Sequence, residues 1–103
     1  MFQDKLRQLE IDPKTYIDIA RKRAEHSGYD PSLLSFSSNP KKKLDYAGRD
    51  FGATGYNDYI IYHLKDPKTA DKKRKNYWKR AMKVAEATQD KYSPAVLALT
   101  ILW

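Results

Sequence analysis

The sequence contains no cysteine among its 103 residues. Disulfide bonds, thiolate metal sites and thiol catalysis are therefore excluded. Long apolar runs are absent as well, and the first residues, MFQDKLRQLE, lack the apolar core of a signal peptide. We accordingly expect no secretory leader and no membrane-spanning segment.

Histidine is scarce, and neither His26 nor His63 has a second histidine at metal-ligand spacing. We therefore predict no metal site and no cofactor.

Catalytic motifs are missing too. Asp50-Phe51-Gly52 spells a kinase signature without any other kinase motif, and the GATG segment lacks the lysine of a phosphate-binding loop. The sequence predicts no catalytic residues, and an enzyme is the least supported class of protein.

What the chain does contain is aromatic side chains and unevenly placed basic charge. Aromatic residues make up 13% of the chain, which is typical of a folded protein, and the length predicts a single domain over residues 1–103. The net charge is +7, and the segment 64–83 holds nine basic residues against two acidic ones. Such a localised basic field attracts phosphate, acidic protein or anionic membrane.

Proline and glycine divide the first half of the chain into short elements. Residues 1–28 indicate two N-terminal helices, the second capped by Asp12 and started by Pro13. The buried stripe of this second helix is predicted to contain Tyr16, Ile17, Ala20 and Ala24. Residues 43–52 indicate a small β-hairpin that turns at Ala47-Gly48. The glycines that follow, Gly52 and Gly55, are expected to need a positive φ.

The second half of the chain is predicted to be helical. Residues 56–88 form a basic helical segment, in which 69–88 is the longest helix. Residues 56–64 either begin a helix capped by Asn57 or Asp58 or form a strand, since they are rich in β-branched and aromatic residues. Residues 93–103 form a C-terminal apolar helix capped by Ser93. The predicted fold class is therefore α+β and mainly helical, with about four to five short helices and one small β-hairpin in the middle.

The stretch KKRKNYWKR, residues 72–80, decides most of what can be said about function. An α-helix advances about 100° per residue, which separates the basic residues from the aromatic ones. The basic arc contains Lys72, Lys73, Lys75, Lys79, Arg80 and Lys83. Tyr77 and Trp78 lie on the opposite, apolar arc, so we predict that they pack in the core and do not stack on nucleobases. The basic arc itself is either a solvated face or a face that contacts anions.

Arg74 is the one basic residue of this run that falls inside the apolar arc. An unpaired buried charge is costly, so a carboxylate partner is expected. We predict that Arg74 is buried and forms an ion pair, with Asp58 and Asp50 as the candidate partners.

The C-terminal helix offers almost no polar face, since only Thr100 is polar after Pro94. It must be enclosed on most sides. We predict that Val96, Leu97 and Ile101 enter the core of the domain, whereas Leu99 and Trp103 lie nearer a partner-facing or rim position.

Four segments, GYDPSLLSFS, KKKLDYAGRDFGATGYNDYIIY, TADKKRKNYWKRA and DKYSPAVLALTILW, occur in an order that resembles a group of small basic viral proteins. These are encoded by nucleocytoplasmic large DNA viruses of the giant-virus and algal-virus type, with shorter relatives in some phages. The resemblance covers Gly28 to Trp103. The family pattern has a longer insertion where this chain has only residues 64–68. The resemblance implies a viral origin, no established enzymatic role, and a location in the virion and in the cytoplasmic virus factory of the infected cell.

Two functions are consistent with these observations. The first is a viral structural protein, a minor capsid or virion-associated component that bridges other virion or capsid proteins. The alternative is a non-specific nucleic-acid-binding protein, which neutralises packaged DNA, or binds RNA, by contacting the phosphate backbone through the lysine-rich helix face. The two hypotheses differ in whether the basic arc meets acidic protein or phosphate.

Overall fold

Five helices and a three-stranded antiparallel sheet make up the fold, which confirms the predicted mainly helical α+β class. The computed structural model describes all residues, 1–103. In chain order the elements are α1 (Phe2–Gln8), α2 (Pro13–His26), β1 (Leu34–Phe36), β2 (Lys42–Tyr46), β3 (Arg49–Ala53), α3 (Tyr59–Lys65), α4 (Pro67–Thr88) and α5 (Pro94–Leu97). A single 3₁₀ turn, Pro31–Leu33, precedes β1, and α5 continues directly into a π-helical segment, Ala98–Leu102.

The predicted starts of α2 and of the C-terminal helix are confirmed, because side-chain oxygens accept hydrogen bonds from the first free backbone N–H groups. Asp12 accepts from the N–H of Lys14 at the start of α2. The Ser93 hydroxyl accepts from Val96 at the start of α5, at 3.2 Å. These caps satisfy donors that have no partner within the helix.

The sheet has the order β1-β2-β3. The predicted hairpin is confirmed as β2 and β3, and its two turn residues, Ala47 and Gly48, both have positive φ, at 51° and 89°. Two positive φ values match the twist of a tight hairpin. The strand β1 was not predicted, since three residues are too few to show an alternating pattern. It is held by pairing with β2, where Leu34 lies opposite Tyr46.

The core lies where α2, the sheet and the C-terminal helix meet. All four predicted residues of the α2 stripe are buried, and Tyr16 and Ala20 have no exposed surface at all. Leu97 and Ile101 of the C-terminal helix are buried in the same cluster, as predicted, whereas Val96 is only partly buried. Apolar burial on this scale is the main contribution to the stability of a small domain.

The two glycines after the hairpin differ from each other. Gly52 has a φ of +80°, and a Cβ on it would lie 2.7 Å from Cδ1 of Leu102, so the prediction of a backbone requirement is confirmed there. At Gly55 the same prediction is wrong. Its φ is not positive, and a Cβ there would meet nothing within 4 Å.

No helix combines the length and hydrophobicity that crossing a membrane would require.

Candidate nucleic-acid interface

The candidate site is built on α4, the longest helix, with 22 residues. Pro67 occupies its first turn, where a missing N–H costs nothing, and Gln89 ends it in the left-handed conformation with a φ of 52°. At 1.5 Å per residue the helix is about 33 Å long. Its length is therefore close to the longest dimension of the molecule, 36 Å.

The six residues of the predicted basic arc lie together on the exposed side of α4. Every one of them is solvent-exposed, and none forms an ion pair with an acidic side chain. We call this surface the basic face; it consists of Lys72, Lys73, Lys75, Lys79, Arg80 and Lys83. Six unpaired like charges on one helix create a positive potential that attracts anions from solution.

The opposite side of α4 is less buried than the sequence predicts. Tyr77 and Trp78 are only half-buried and do not belong to the core cluster, so the prediction that they pack in the core is wrong. Met82 and Val84, however, are 45% and 57% exposed. Only Ala70 of this helix is fully buried. The outer part of α4, residues 81–88, is therefore held by few tertiary contacts.

The prediction for Arg74 is wrong. Its side chain is exposed and pairs with no carboxylate. Its Nε donates a hydrogen bond of 2.6 Å to the main-chain oxygen of Trp103, and its guanidinium lies over the rings of Tyr59 and Trp78, at 5.6 and 5.8 Å. The helical projection placed Arg74 toward the domain correctly, but there it meets aromatic rings and a helix C-terminus. Both of these partners attract a cation.

The buried ion pair of this protein is formed by Lys43 and Asp58. Lys43 Nζ lies 2.7 Å from Oδ2 of Asp58, and both side chains are almost fully buried. The same Oδ2 accepts a hydrogen bond from the Tyr16 hydroxyl at 2.5 Å, and Oδ1 accepts one from the backbone N–H of Ile61. Asp58 was named correctly as a member of the pair, but its partner is a lysine of β2.

Burial is the main cause of the pKa shifts in this network. It lowers the pKa of Lys43, although the neighbouring Asp58 charge opposes the shift. Burial also raises the pKa of Tyr16 well above its ordinary value, and the Asp58 charge and hydrogen bond add to the effect. The carboxylate receives three hydrogen bonds from α2, β2 and the first turn of α3. The network therefore stabilises the packing of these three elements and does not face solvent.

Asp50, the other predicted partner of Arg74, accepts a hydrogen bond from the Ser37 hydroxyl at 2.6 Å. This contact links β3 to the loop after β1, and no basic side chain pairs with Asp50 in the structure. Asp50 therefore has a structural role in the sheet.

The two apolar residues predicted to face a partner occupy different environments. Leu99 is only 3% exposed, so its predicted exposure to a partner is wrong. Trp103 is half-buried at the rim of the core and stacks on Tyr77, with ring centroids 4.3 Å apart and planes within 5° of parallel. Trp103 therefore closes the fold against α4 while part of its surface stays accessible.

Trp103 and Tyr77 also line a cleft of about 480 Å³ between α4 and the loop after β3. The loop contributes Tyr56 and Asn57, and α4 contributes Lys73, Asn76 and Arg80. No acidic residue lines this cleft. The cleft was not predicted from the sequence, because its aromatic and basic side chains come from separate segments of the chain. The one sequence feature that points to the cleft is Tyr56, an aromatic residue directly after Gly55, which is exposed in the structure.

Comparison with known proteins gives no relative from which a function could be transferred. The chain matches no protein-family model, no curated protein and no solved structure. Neither does the structure contain a group of three or more histidine or acidic side chains arranged to hold a metal ion. The function must therefore be inferred from the basic face and the cleft themselves.

Proposed function

We propose that the protein binds nucleic acid without sequence preference, through contacts between the basic face and the phosphate backbone. The observation that supports this proposal is the set of six exposed basic side chains on one side of α4, none with an acidic partner. Asp71 and Glu86 lie one helical turn from Lys75 and Lys83 but form no ion pair with them, so no ion pair compensates the repulsion among the six basic residues. Bound phosphates would relieve this repulsion.

The dimensions of the basic face agree with this proposal. Lys72 and Lys83 are eleven positions apart, which corresponds to about 16 Å along a helix axis. Each strand of duplex DNA carries one phosphate per about 3.4 Å of the duplex axis, so a face of this length spans about five phosphates of one strand. Lysine is well suited to contacts of this kind, since its ammonium group is a mobile point charge that reads no base.

The test is the salt dependence of binding to labelled duplex DNA of two unrelated sequences, measured by fluorescence anisotropy. Release of counterions from about five phosphates predicts a slope near −4.5 in log K against log salt, equal for both sequences. Absence of binding at low salt, a slope near zero, or a strong preference for one sequence would contradict the proposal.

A matched pair of variants locates the surface. Replacing Lys72, Lys79 and Lys83 by glutamine removes three exposed charges from α4 and should make the slope shallower by about 2.7. Replacing Lys14, Lys22 and Lys41 by glutamine removes three exposed charges from elsewhere and should leave the slope unchanged. Because the two variants have the same net charge, a difference between them must come from α4.

A second candidate function, a minor capsid or virion-associated protein that bridges other virion proteins, is supported by the sequence resemblance. One structural observation favours it: Met82 and Val84, in the outer part of α4, expose about half of their apolar side chains. Exposed apolar residues on a helix are suited to contact another protein. Chemical cross-linking in purified particles would test this function. Cross-links from Lys83 to another virion protein support it, whereas cross-links to nucleic acid alone contradict it.

A further inference from the structure

The cleft between α4 and the loop after β3 combines three kinds of side chain that rarely occur together by chance. Aromatic rings are contributed by Tyr56, Tyr62, Tyr77 and Trp103. Positive charge is contributed by Lys73 and Arg80, which belong to the basic face. Amide groups are contributed by Asn57 and Asn76, whose side chains are exposed and form no hydrogen bond within the protein.

Tyr56 is the most unusual of these residues. It is 74% exposed, although most other aromatic residues of the chain are buried or half-buried. An exposed ring at the mouth of a cleft gains nothing from the core, and its flat face is free to stack on another ring. Deeper in the cleft, the stacked pair of Tyr77 and Trp103 forms a rigid aromatic wall.

The charges around the cleft select the kind of ligand. No acidic residue lines it, and the one further lysine of its lining, Lys43, has a buried ammonium group that is already paired with Asp58. Lys73 and Arg80 therefore present uncompensated positive charge beside the aromatic rings. A ligand that fits must combine a flat aromatic group with a negative group. An acidic peptide would satisfy the charges, and its backbone could bond the two amides, but its carboxylate side chains present no flat ring to the aromatic residues.

We propose that this cleft binds an unpaired base of single-stranded nucleic acid. The base stacks on Tyr56 and its polar edge is within the reach of the amides of Asn57 and Asn76. The phosphates on either side of the base contact Lys73 and Arg80, and the strand continues along the basic face. The cleft volume of about 480 Å³ lies in the range of small-ligand sites.

This inference rests on the proposed function and makes it more specific, because it assigns a preference for single strands. Bases inside a duplex are stacked on their neighbours and must be extruded before a protein ring can reach them. A duplex therefore contacts only the basic face, whereas a single strand contacts the basic face and the cleft.

The experiment compares a thymidine 12-mer with a 12-base-pair duplex, each titrated into the intact chain at the same low salt concentration. Occupancy of the cleft is followed by the fluorescence of Trp103 in a Trp78→Phe background, so that one tryptophan reports. We expect the single strand to change this emission and the duplex to leave it unchanged. We also expect Tyr56→Ala to weaken single-strand binding by roughly five- to 100-fold while duplex binding is unchanged.

Two controls keep the test specific. Tyr56→Phe retains the ring and should bind the single strand as the parent does. Tyr92→Ala removes a ring that is 42% exposed and does not line the cleft, and it should have no effect on either ligand. Thermal unfolding of each variant shows whether it remains folded, which we expect for Tyr56→Ala because so little of its ring is buried.

The outcomes separate this inference from the proposed function. Equal affinity for both ligands, with no effect of Tyr56→Ala, would overturn the cleft inference and leave phosphate binding by α4 intact. Absence of binding to either ligand would overturn both. If poly-glutamate displaced the single strand and lost its own affinity in Tyr56→Ala to the same extent, the cleft would be a protein-binding site, and the inference would be wrong.

Discussion

Removing the ammonium group of Lys43 should destabilise the protein more than any other single lysine substitution. The Lys43→Met variant keeps most of the side-chain stem but leaves the buried carboxylate of Asp58 without a counter-charge. Breaking a buried pair from one side costs about 3–5 kcal/mol. A chain of this length is expected to have a total stability of about 5–15 kcal/mol, so the loss is a large fraction of it. The melting temperature should fall by at least about 12 °C.

The measurement is urea and thermal unfolding followed by circular dichroism. Lys42→Met is the matched control, because Lys42 is the preceding residue of the same strand and forms no ion pair. We expect it to change the stability by less than about 0.5 kcal/mol. The double variant Lys43→Met, Asp58→Asn removes both charges while an amide oxygen can still cap Ile61. It should be more stable than Lys43→Met alone. Equal destabilisation by Lys42→Met and Lys43→Met would refute the assignment of a buried ion pair.

Three further predictions follow from contacts described above. Arg74→Ala should cost about 1 kcal/mol in the free energy of unfolding, measurably more than Lys75→Ala, since Arg74, unlike Lys75, bonds the main-chain oxygen of Trp103; equal costs would contradict this role. The raised pKa of Tyr16 means that the folded state keeps a proton that the unfolded state releases above about pH 10. Stability should therefore be fully present below that pH and fall above it, and Tyr16→Phe should make the fall less steep in unfolding measured from pH 8 to 11. Gly52→Ala should be strongly destabilising in chemical unfolding because of its positive φ and the contact with Leu102, whereas Gly55→Ala should be neutral or slightly stabilising.

The parts of the fold that the sequence predicted are those specified by neighbouring residues. Caps such as Asp12 and Ser93, and the turn at Ala47-Gly48, act within a few residues, so their chemistry is visible in the sequence. The short strand β1 was missed because it depends on pairing with β2, which local propensity does not report.

Of the candidate site, only the basic face could be predicted from the sequence. A helical projection is enough to place six basic residues on one face, and the structure shows them there. The same projection placed Arg74 toward the domain but could not say what it would meet, since Tyr59 and Trp103 come from other elements. Lys43 was missed because three consecutive lysines, 41–43, look alike in sequence, and only the packing around β2 buries one of them.

The outer part of α4, residues 81–88, is so little buried that its order should depend on ionic strength. After Arg80 only Ala81 and Ala85 are even partly buried, so the last two turns depend on their own backbone bonds. Lys75, Lys79 and Lys83 follow one another at four-residue intervals, where like charges repel and favour fraying. Added salt screens that repulsion and should slow amide hydrogen exchange in these turns, yet the same salt should weaken the attraction of a polyanion. Ionic strength should thus order this end of the helix and release its ligand at the same time.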